Sequence, residues 1–220
     1  MKLAGARALI TGGSSGIGAA TAARMAVSGA RPLLVGRDEP ALAASDHPYL
    51  VADLRSKGVA RDIADWAVRA AGGVDVLVCN AGLGWAGDLA EQDPDQIDDL
   101  VTVNLTTHLA LARLLLPDML VRHGGHLVLV SSIAGCLGVA DEAVYAATKA
   151  AMRTFADSVR LAAAGSGVGV SVVVPGVVDT PFFSRRGKPY DRSRPKPVSA
   201  DDVAKGLVAA VVHNRAEVFV

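Results

Sequence analysis

Thr11-Gly12-Gly13-Ser14-Ser15-Gly16-Ile17-Gly18 follows directly on the apolar run Ala8-Leu9-Ile10. The junction reads as a strand turned at once into a helix. Gly12, Gly16 and Gly18 carry no Cβ, which lets backbone N–H groups approach a bound anion at the positive end of the following helix. With Ser14, Ser15 and Ile17 between them, these residues form a cradle suited to a pyrophosphate. The spacing differs from the GxGxxG of the commonest dinucleotide-binding turn. Alone, the stretch also fits a ligand-free glycine turn.

A second stretch, Tyr145-Ala-Ala-Thr-Lys149, lies within the alanine-rich run Glu142 to Ala164, which reads as helix. Residues four apart share a helix face. An ammonium beside a phenol favours the phenolate. A free tyrosine titrates near pH ~10, and each unit of depression corresponds to about 1.4 kcal/mol of preference for the anion. A lowered value brings the phenol into range for general acid–base work.

Taken together, these stretches make the sequence resemble the short-chain dehydrogenase/reductase family over nearly its whole length. Further markers stand in family order. Cys79-Asn80-Ala81-Gly82 follows a strand, and Asn104 lies in the next helix. Ser132, within Ser131-Ser-Ile-Ala-Gly135, stands thirteen residues before Tyr145. Pro175-Gly176 ends a valine-rich strand, with Thr180 four residues beyond the glycine. The resemblance implies an α/β fold: one Rossmann-type, doubly wound parallel sheet with helices on both faces, spanning residues 1–220, with a substrate lid at about 177–198. It implies an NAD(P)-dependent oxidoreductase that interconverts a carbonyl and a secondary alcohol.

The resemblance also implies roles. Tyr145 is the general acid or base, Lys149 depresses its pKa and holds the nicotinamide ribose, and Ser132 stabilises the reacting oxygen. Asn104 connects Lys149 to solvent. Asp53, beside Leu54, hydrogen-bonds adenine; Asn80, Ala81 and Gly82 floor the adenosine ribose. Pro175, Gly176, Val178 and Thr180 orient the nicotinamide. The second strand ends in Gly36-Arg37, where NAD-preferring relatives carry an acid at about position 36. A guanidinium can bind a 2′-phosphate bidentately, which favours NADP(H) over NAD(H). Arg37 paired with Asp38 or Glu39 is the competing reading. A cofactor-binding regulatory protein of the same fold is the rival function, and the intact set Asn104, Ser132, Tyr145 and Lys149 argues against it.

Composition agrees. The chain has 220 residues, 51% hydrophobic and 20% charged, enough for one large core. Its 22 basic and 22 acidic residues cancel, leaving no electrostatic footprint for nucleic acid or an anionic membrane. The N-terminus lacks a signal-peptide pattern. Leu161 to Val178 is uncharged, but its glycines and Pro175 divide it into a helix end, a turn and a buried strand, so no membrane span is expected. Two cysteines, Cys79 and Cys136, suit a reducing cytoplasm. The five histidines share no metal-ligand spacing, so no metal is expected.

Strands are expected near Ala6–Ile10, Pro32–Val35, Tyr49–Val51, Val74–Cys79, His126–Ser131, Val168–Val174 and Glu217–Val220. Asp93-Pro94 and Ser199 mark helix starts. Trp66 reads as helix packing, and Trp85 is placed to reach the pocket. Cys136 reads as a small apolar filler that borders the pocket at most. Within 177–198, Phe182, Phe183 and Tyr190 suit an apolar substrate, whereas Arg185, Arg186 and Lys188 suit an acidic one; the sequence does not decide. The apolar faces of Pro94–Arg122 (Leu105, Leu109, Ala112, Leu116) and Glu142–Ala164 (Ala147, Ala151, Phe155, Ala162) suggest a homodimer or homotetramer. The short link between the second and third strands, and the end of the chain in Glu217-Val-Phe-Val220, depart from the family pattern.

Overall fold

The computed structural model describes residues 1–191 and 193–220. Seven strands form one parallel sheet: β1 (Arg7–Thr11), β2 (Arg31–Gly36), β3 (Tyr49–Val51), β4 (Val76–Cys79), β5 (Gly125–Val130), β6 (Val168–Val174) and β9 (Glu217–Phe219), in the order β3-β2-β1-β4-β5-β6-β9. A separate two-stranded ladder joins β7 (Val178–Asp179) to β8 (Val198–Ser199). The order runs outward from β1 in one direction and from β4 in the other. The switch point therefore opens a crevice between the carboxyl ends of these two strands, where ligands of such sheets bind.

Both faces of the sheet are covered, which is why its strands read as unbroken apolar runs. Successive residues point to opposite faces. Leu9, Leu33 and Leu77 join Ile63, Leu111 and Met152 on one side. Ile10, Leu34 and Val78 join Met25, Val203 and Leu207 on the other. The first side holds α3 (Val59–Ala71), α5 (Thr107–Val121) and α6 (Ala143–Ala162); the second holds α1 (Gly16–Val27) and α8 (Ala200–His213). The short helix α2 (Glu39–Ala43) links β2 to β3, and α7 (Phe182–Arg185) follows β7.

The expected helix starts are present. Asp93 accepts a hydrogen bond from Asp95 N ahead of α4 (Pro94–Val101), and Ser199 forms a capping box with Asp202 at α8. The expected single helix Pro94–Arg122 is instead interrupted. Thr102–Thr106, between α4 and α5, is a π-helical segment and contains Asn104. By length and composition Pro94–Val121 is apolar enough to cross a membrane, yet Leu111, Ala112, Leu115 and Met119 are buried in the sheet's core. Leu161 to Val178 divides as expected, into the end of α6, a turn, and β6.

Two buried histidines hold parts of this frame. His108 Nε2 lies 3.0 Å from Thr11 Oγ1, and His126 Nε2 lies 2.8 Å from Ser171 Oγ. Burial pushes His108 down to about 3 and His126 down to about 4. The folded chain then binds fewer protons than the unfolded chain between those values and the ordinary 6.5, so stability falls as pH drops through 6.5. Each histidine is expected to cost about 1 to 1.5 kcal/mol at roughly pH 5.5. Asp75, despite its burial, is held at about 2 by Arg7 and Arg122, and so contributes no change in that window. Urea denaturation at neutral pH and at about pH 5.5 measures the loss, and equal stability at both would contradict it.

Candidate active site

A cleft of about 1170 Å³ runs across the carboxyl ends of the strands. On one wall the loop after β1 turns through Gly12 (φ +70) and Gly16 (φ +53), both in the left-handed region that favours glycine. A Cβ on Gly12 would stand 2.8 Å from Asn80 Nδ2, so the turn closes directly on the Asn80–Gly82 floor. Ser14, Ser15, Gly16 and Ile17 line the cleft at the start of α1. Thr180 packs against Gly16, where a Cβ would lie 3.1 Å from its methyl. Open helix N–H groups, a backbone cleared of side chains and a long groove together fit a dinucleotide.

Gly18 lies outside this wall. A Cβ there would fall 2.1 Å from Gly12 O and 2.7 Å from Asn80 Nδ2. The absence of a side chain there lets α1 approach the end of β1.

Beneath the cradle, Thr11 Oγ1 accepts from Asn80 N (3.0 Å) and Ala81 N (3.1 Å). With both lone pairs engaged, its own proton remains for His108 Nε2 or Val78 O. The other ring nitrogen of His108 lies 3.3 Å from Asn104 O. Neither Thr11 nor His108 stood out in the sequence as a site residue, because their pairing spans distant segments.

At the end of the cleft beside β2, the Asp38 carboxylate is not paired with Arg37. It accepts from Ala41 N at 3.1 Å and caps α2. Arg37 instead makes a loose 3.8 Å contact with Asp53. The Asp53 carboxyl is held at about 2, chiefly by the Arg55 hydrogen bond, and Arg55 also reaches Asp99. Leu54 completes this end of the wall.

Ser132, Tyr145 and Lys149 meet where β5 and α6 converge, all lining the cleft and all buried. The motif glycine Gly135 makes this convergence close, since a Cβ would stand 2.7 Å from the Lys149 backbone. Ser132 Oγ accepts from Ala134 N, which starts the short turn Ile133–Gly135. The expected depression of the phenol is absent. Burial pushes Tyr145 up to about 12, against the opposing hydrogen bond with Ser132; Glu142 pushes the same way as burial, and Arg186 the opposite. Lys149 does not supply the lowering. Its Nζ, 5.8 Å from the Tyr145 ring centroid, donates to Val130 O at 3.0 Å, and burial brings it down to about 8.

Asn104 lies near Lys149: a Cβ on Gly82 would stand 3.4 Å from its Oδ1 and 3.5 Å from Lys149 Nζ. Asn104 is fully buried and outside the cleft wall, where its Oδ1 accepts from Leu83 N (2.7 Å) and its Nδ2 donates to Leu83 O (2.9 Å) and Thr148 Oγ1 (3.2 Å). It positions the loop after Gly82. Pro175, Gly176, Val178 and Thr180 line the far side of the cleft. Trp85 folds over Gly87 beside a smaller cavity, and Leu83, Gly84 and Ala86 line the cleft in its stead. Cys136 is exposed and lines no wall, so it is neither a filler nor a border of the pocket. Trp66 packs against the core as expected. Among the described residues, no group of three or more His, Cys, Asp or Glu side chains is placed to hold a metal ion.

Residues 6–191 match the short chain dehydrogenase family. The chain belongs to that family. It is an NAD(P)-dependent oxidoreductase whose hydride chemistry links CH–OH and C=O groups. Ketoacyl reductase HetN of Nostoc sp. is 33% identical over 232 residues, covering 99% of this chain and 79% of that protein. A short-chain dehydrogenase from Sphingobium yanoikuyae, solved with NADPH, superposes with a TM-score of 0.90 at 27% identity, covering 97% of this chain and 87% of that one. A short-chain dehydrogenase/reductase from Burkholderia phymatum, solved with NAD, gives 0.88 at 26% identity, covering 100% and 90%.

Proposed function

We propose that the chain reduces a small carbonyl compound to an alcohol, or runs the reverse reaction, with Tyr145 as proton donor or acceptor and NADP(H) as the preferred cofactor. The buried cluster of Ser132, Tyr145 and Lys149 at the inner end of the dinucleotide groove carries this reading. When bound, the nicotinamide supplies or accepts the hydride. Gly12 to Ile17 hold the pyrophosphate, and Asn80 to Gly82 lie under the ribose. Pro175 to Thr180 close the nicotinamide side.

With its phenol near 12, Tyr145 stays protonated across the neutral range and is ready to donate to a carbonyl oxygen. Ser132 donates to the same oxygen as negative charge develops there. Oxidation of an alcohol requires the phenolate, and Lys149, 5.8 Å from the Tyr145 ring centroid, is the group to stabilise it once its ammonium is released from Val130 O. Asn104 acts indirectly, by fixing Leu83 and so the loop above Lys149. The segment 177–198 serves as the lid, and free Cys79 and Cys136 suit a reducing cytoplasm.

The preference for NADP(H) rests on Arg37. Its side chain is half-exposed on the cleft wall, and the neighbouring Asp38 carboxylate is engaged by Ala41 N at the start of α2 rather than paired with it. We also propose pairing of two chains through α4, α5 and α6. Ala112 is buried within its own chain, but Leu109, Ala147 and Ala151 stay at least partly open and outside the buried clusters.

Four outcomes are expected. Tyr145→Phe should lose at least about a hundredfold in turnover while NADPH affinity changes only a few-fold, as read by nicotinamide absorbance and fluorescence titration. Lys149→Ala should damage both. A Tyr145→Phe enzyme that kept most of its turnover would contradict the assigned role. Arg37→Asp should shift preference toward NADH by roughly ten- to a hundredfold, the worth of a charged hydrogen-bonded contact; a wild-type enzyme already tighter for NADH would refute the assignment. Light scattering at micromolar concentration should give a dimer or tetramer mass, and a strict monomer would exclude the helix pairing.

A further inference from the structure

Among the described residues of 177–198 that line the cleft, three cations (Arg185, Arg186, Lys188) and three aromatic rings (Phe182, Phe183, Tyr190) offer opposed surfaces to a substrate, and their partners decide between them. Arg186 is buried against the Glu142 carboxylate, stacks 4.6 Å over the Phe183 ring and donates to Lys188 O at 2.9 Å. Glu142 occupies the N-cap position of α6 without capping it, because its side chain is given to Arg186. Lys188 pairs with Asp141 at 3.0 Å, and Asp141 holds a left-handed backbone (φ +67) that an acidic residue tolerates better than most. Arg185 points the other way and donates to Ser15 Oγ at 3.3 Å, on the phosphate cradle.

Of these three cations, Arg186 is held in a largely buried pair, Lys188 is drawn to Asp141 at the exposed rim, and Arg185 is turned toward the cradle. The aromatic surface is what remains beside the reacting groups. The Phe182 ring lies 5.5 Å from the Tyr145 ring and leads on to Phe183 and then Tyr190 in contacts of 5.6 and 5.5 Å. Across the cleft, Leu137 and Val139 line the wall, and Leu137 is 56% exposed. An anionic substrate would have to take Arg186 from Glu142 and leave that carboxylate unpaired in a buried site, which is strongly unfavourable. Asp141 and Asp191 on the same wall add to the repulsion.

We infer that this site takes an uncharged carbonyl or alcohol with an apolar, preferably aromatic, body, and that Glu142 enforces the choice by occupying Arg186. This rests on the proposed oxidoreductase reading and specifies its substrate class. Arg185 falls to the cofactor phosphates.

Two ketones of nearly equal shape test it, para-acetylbenzamide and para-acetylbenzoate, with NADPH and the wild-type enzyme. The amide should exceed the carboxylate in kcat/KM by at least about tenfold. Glu142→Gln frees Arg186 and should narrow or reverse that ratio, with a thermal melt showing that the variant folds. Equal or greater activity on the carboxylate, or an unchanged ratio in folded Glu142→Gln, overturns the inference. Calorimetric binding of both ketones to NADPH-loaded Tyr145→Phe reads the same preference without turnover. If wild-type enzyme reduced neither ketone, the binding ratio would still decide the substrate class, and the absent turnover would count against the oxidoreductase reading alone.

Discussion

One hydroxyl, Thr11 Oγ1, ties together the parts on which the site depends. It sits where β1 ends and gathers two N–H groups from the chain leaving β4, and so fixes the spacing of the two strands between which the crevice opens. Glycine then governs how closely the rest can approach. Gly12 meets Asn80, and Gly18 brings α1 onto Gly12. The cradle and its floor are thus held by two small polar side chains, Thr11 and Asn80, and by the close approach that glycines permit. His108 extends the same network to Asn104 and the π-helical segment, and as a neutral ring it brings no charge into the core.

The cleft divides by its electrostatics. Its adenosine end is a partly exposed set of ion pairs, Arg37, Asp53, Arg55 and Asp99, in which solvent screening keeps each pair weak and exchangeable. Its catalytic end is buried, and desolvation dominates there. The same burial that raises Tyr145 lowers Lys149, so both groups are driven toward their neutral forms.

Much of this was legible in the sequence because it depends on local rules. Unbroken apolar runs gave the parallel strands, Asp93 and Ser199 gave helix starts, and the ordered motifs brought the cradle, the floor and Ser132, Tyr145 and Lys149 to one cleft. What escaped depends on distant pairing or on burial. The π-helical turn at Thr102–Thr106 has no residue signature, since it arises from a shifted hydrogen-bond register. That Asp38 would cap α2, and that Glu142 would forgo capping α6 for Arg186, follows from which partner lies nearer in space. The direction of the Tyr145 shift needed the depth of its burial, which a spacing of four residues does not contain. Gly18 belonged to the motif, but its spacing could not separate ligand contact from helix packing.

The ladder β7–β8 joins Val178 to Val198 and Asp179 to Ser199, so the chain that departs after Asp179 returns within one strand spacing of its exit. Val198 N also donates to Val177 O. The intervening residues are therefore an excursion from a closed base, and they carry no strand of the main sheet. Changes of length or composition within that excursion leave the Rossmann frame mechanically undisturbed. The ladder sets the substrate-facing surface on a base of its own, tied back to the glycine turn only through Thr180 and Arg185 among its described residues.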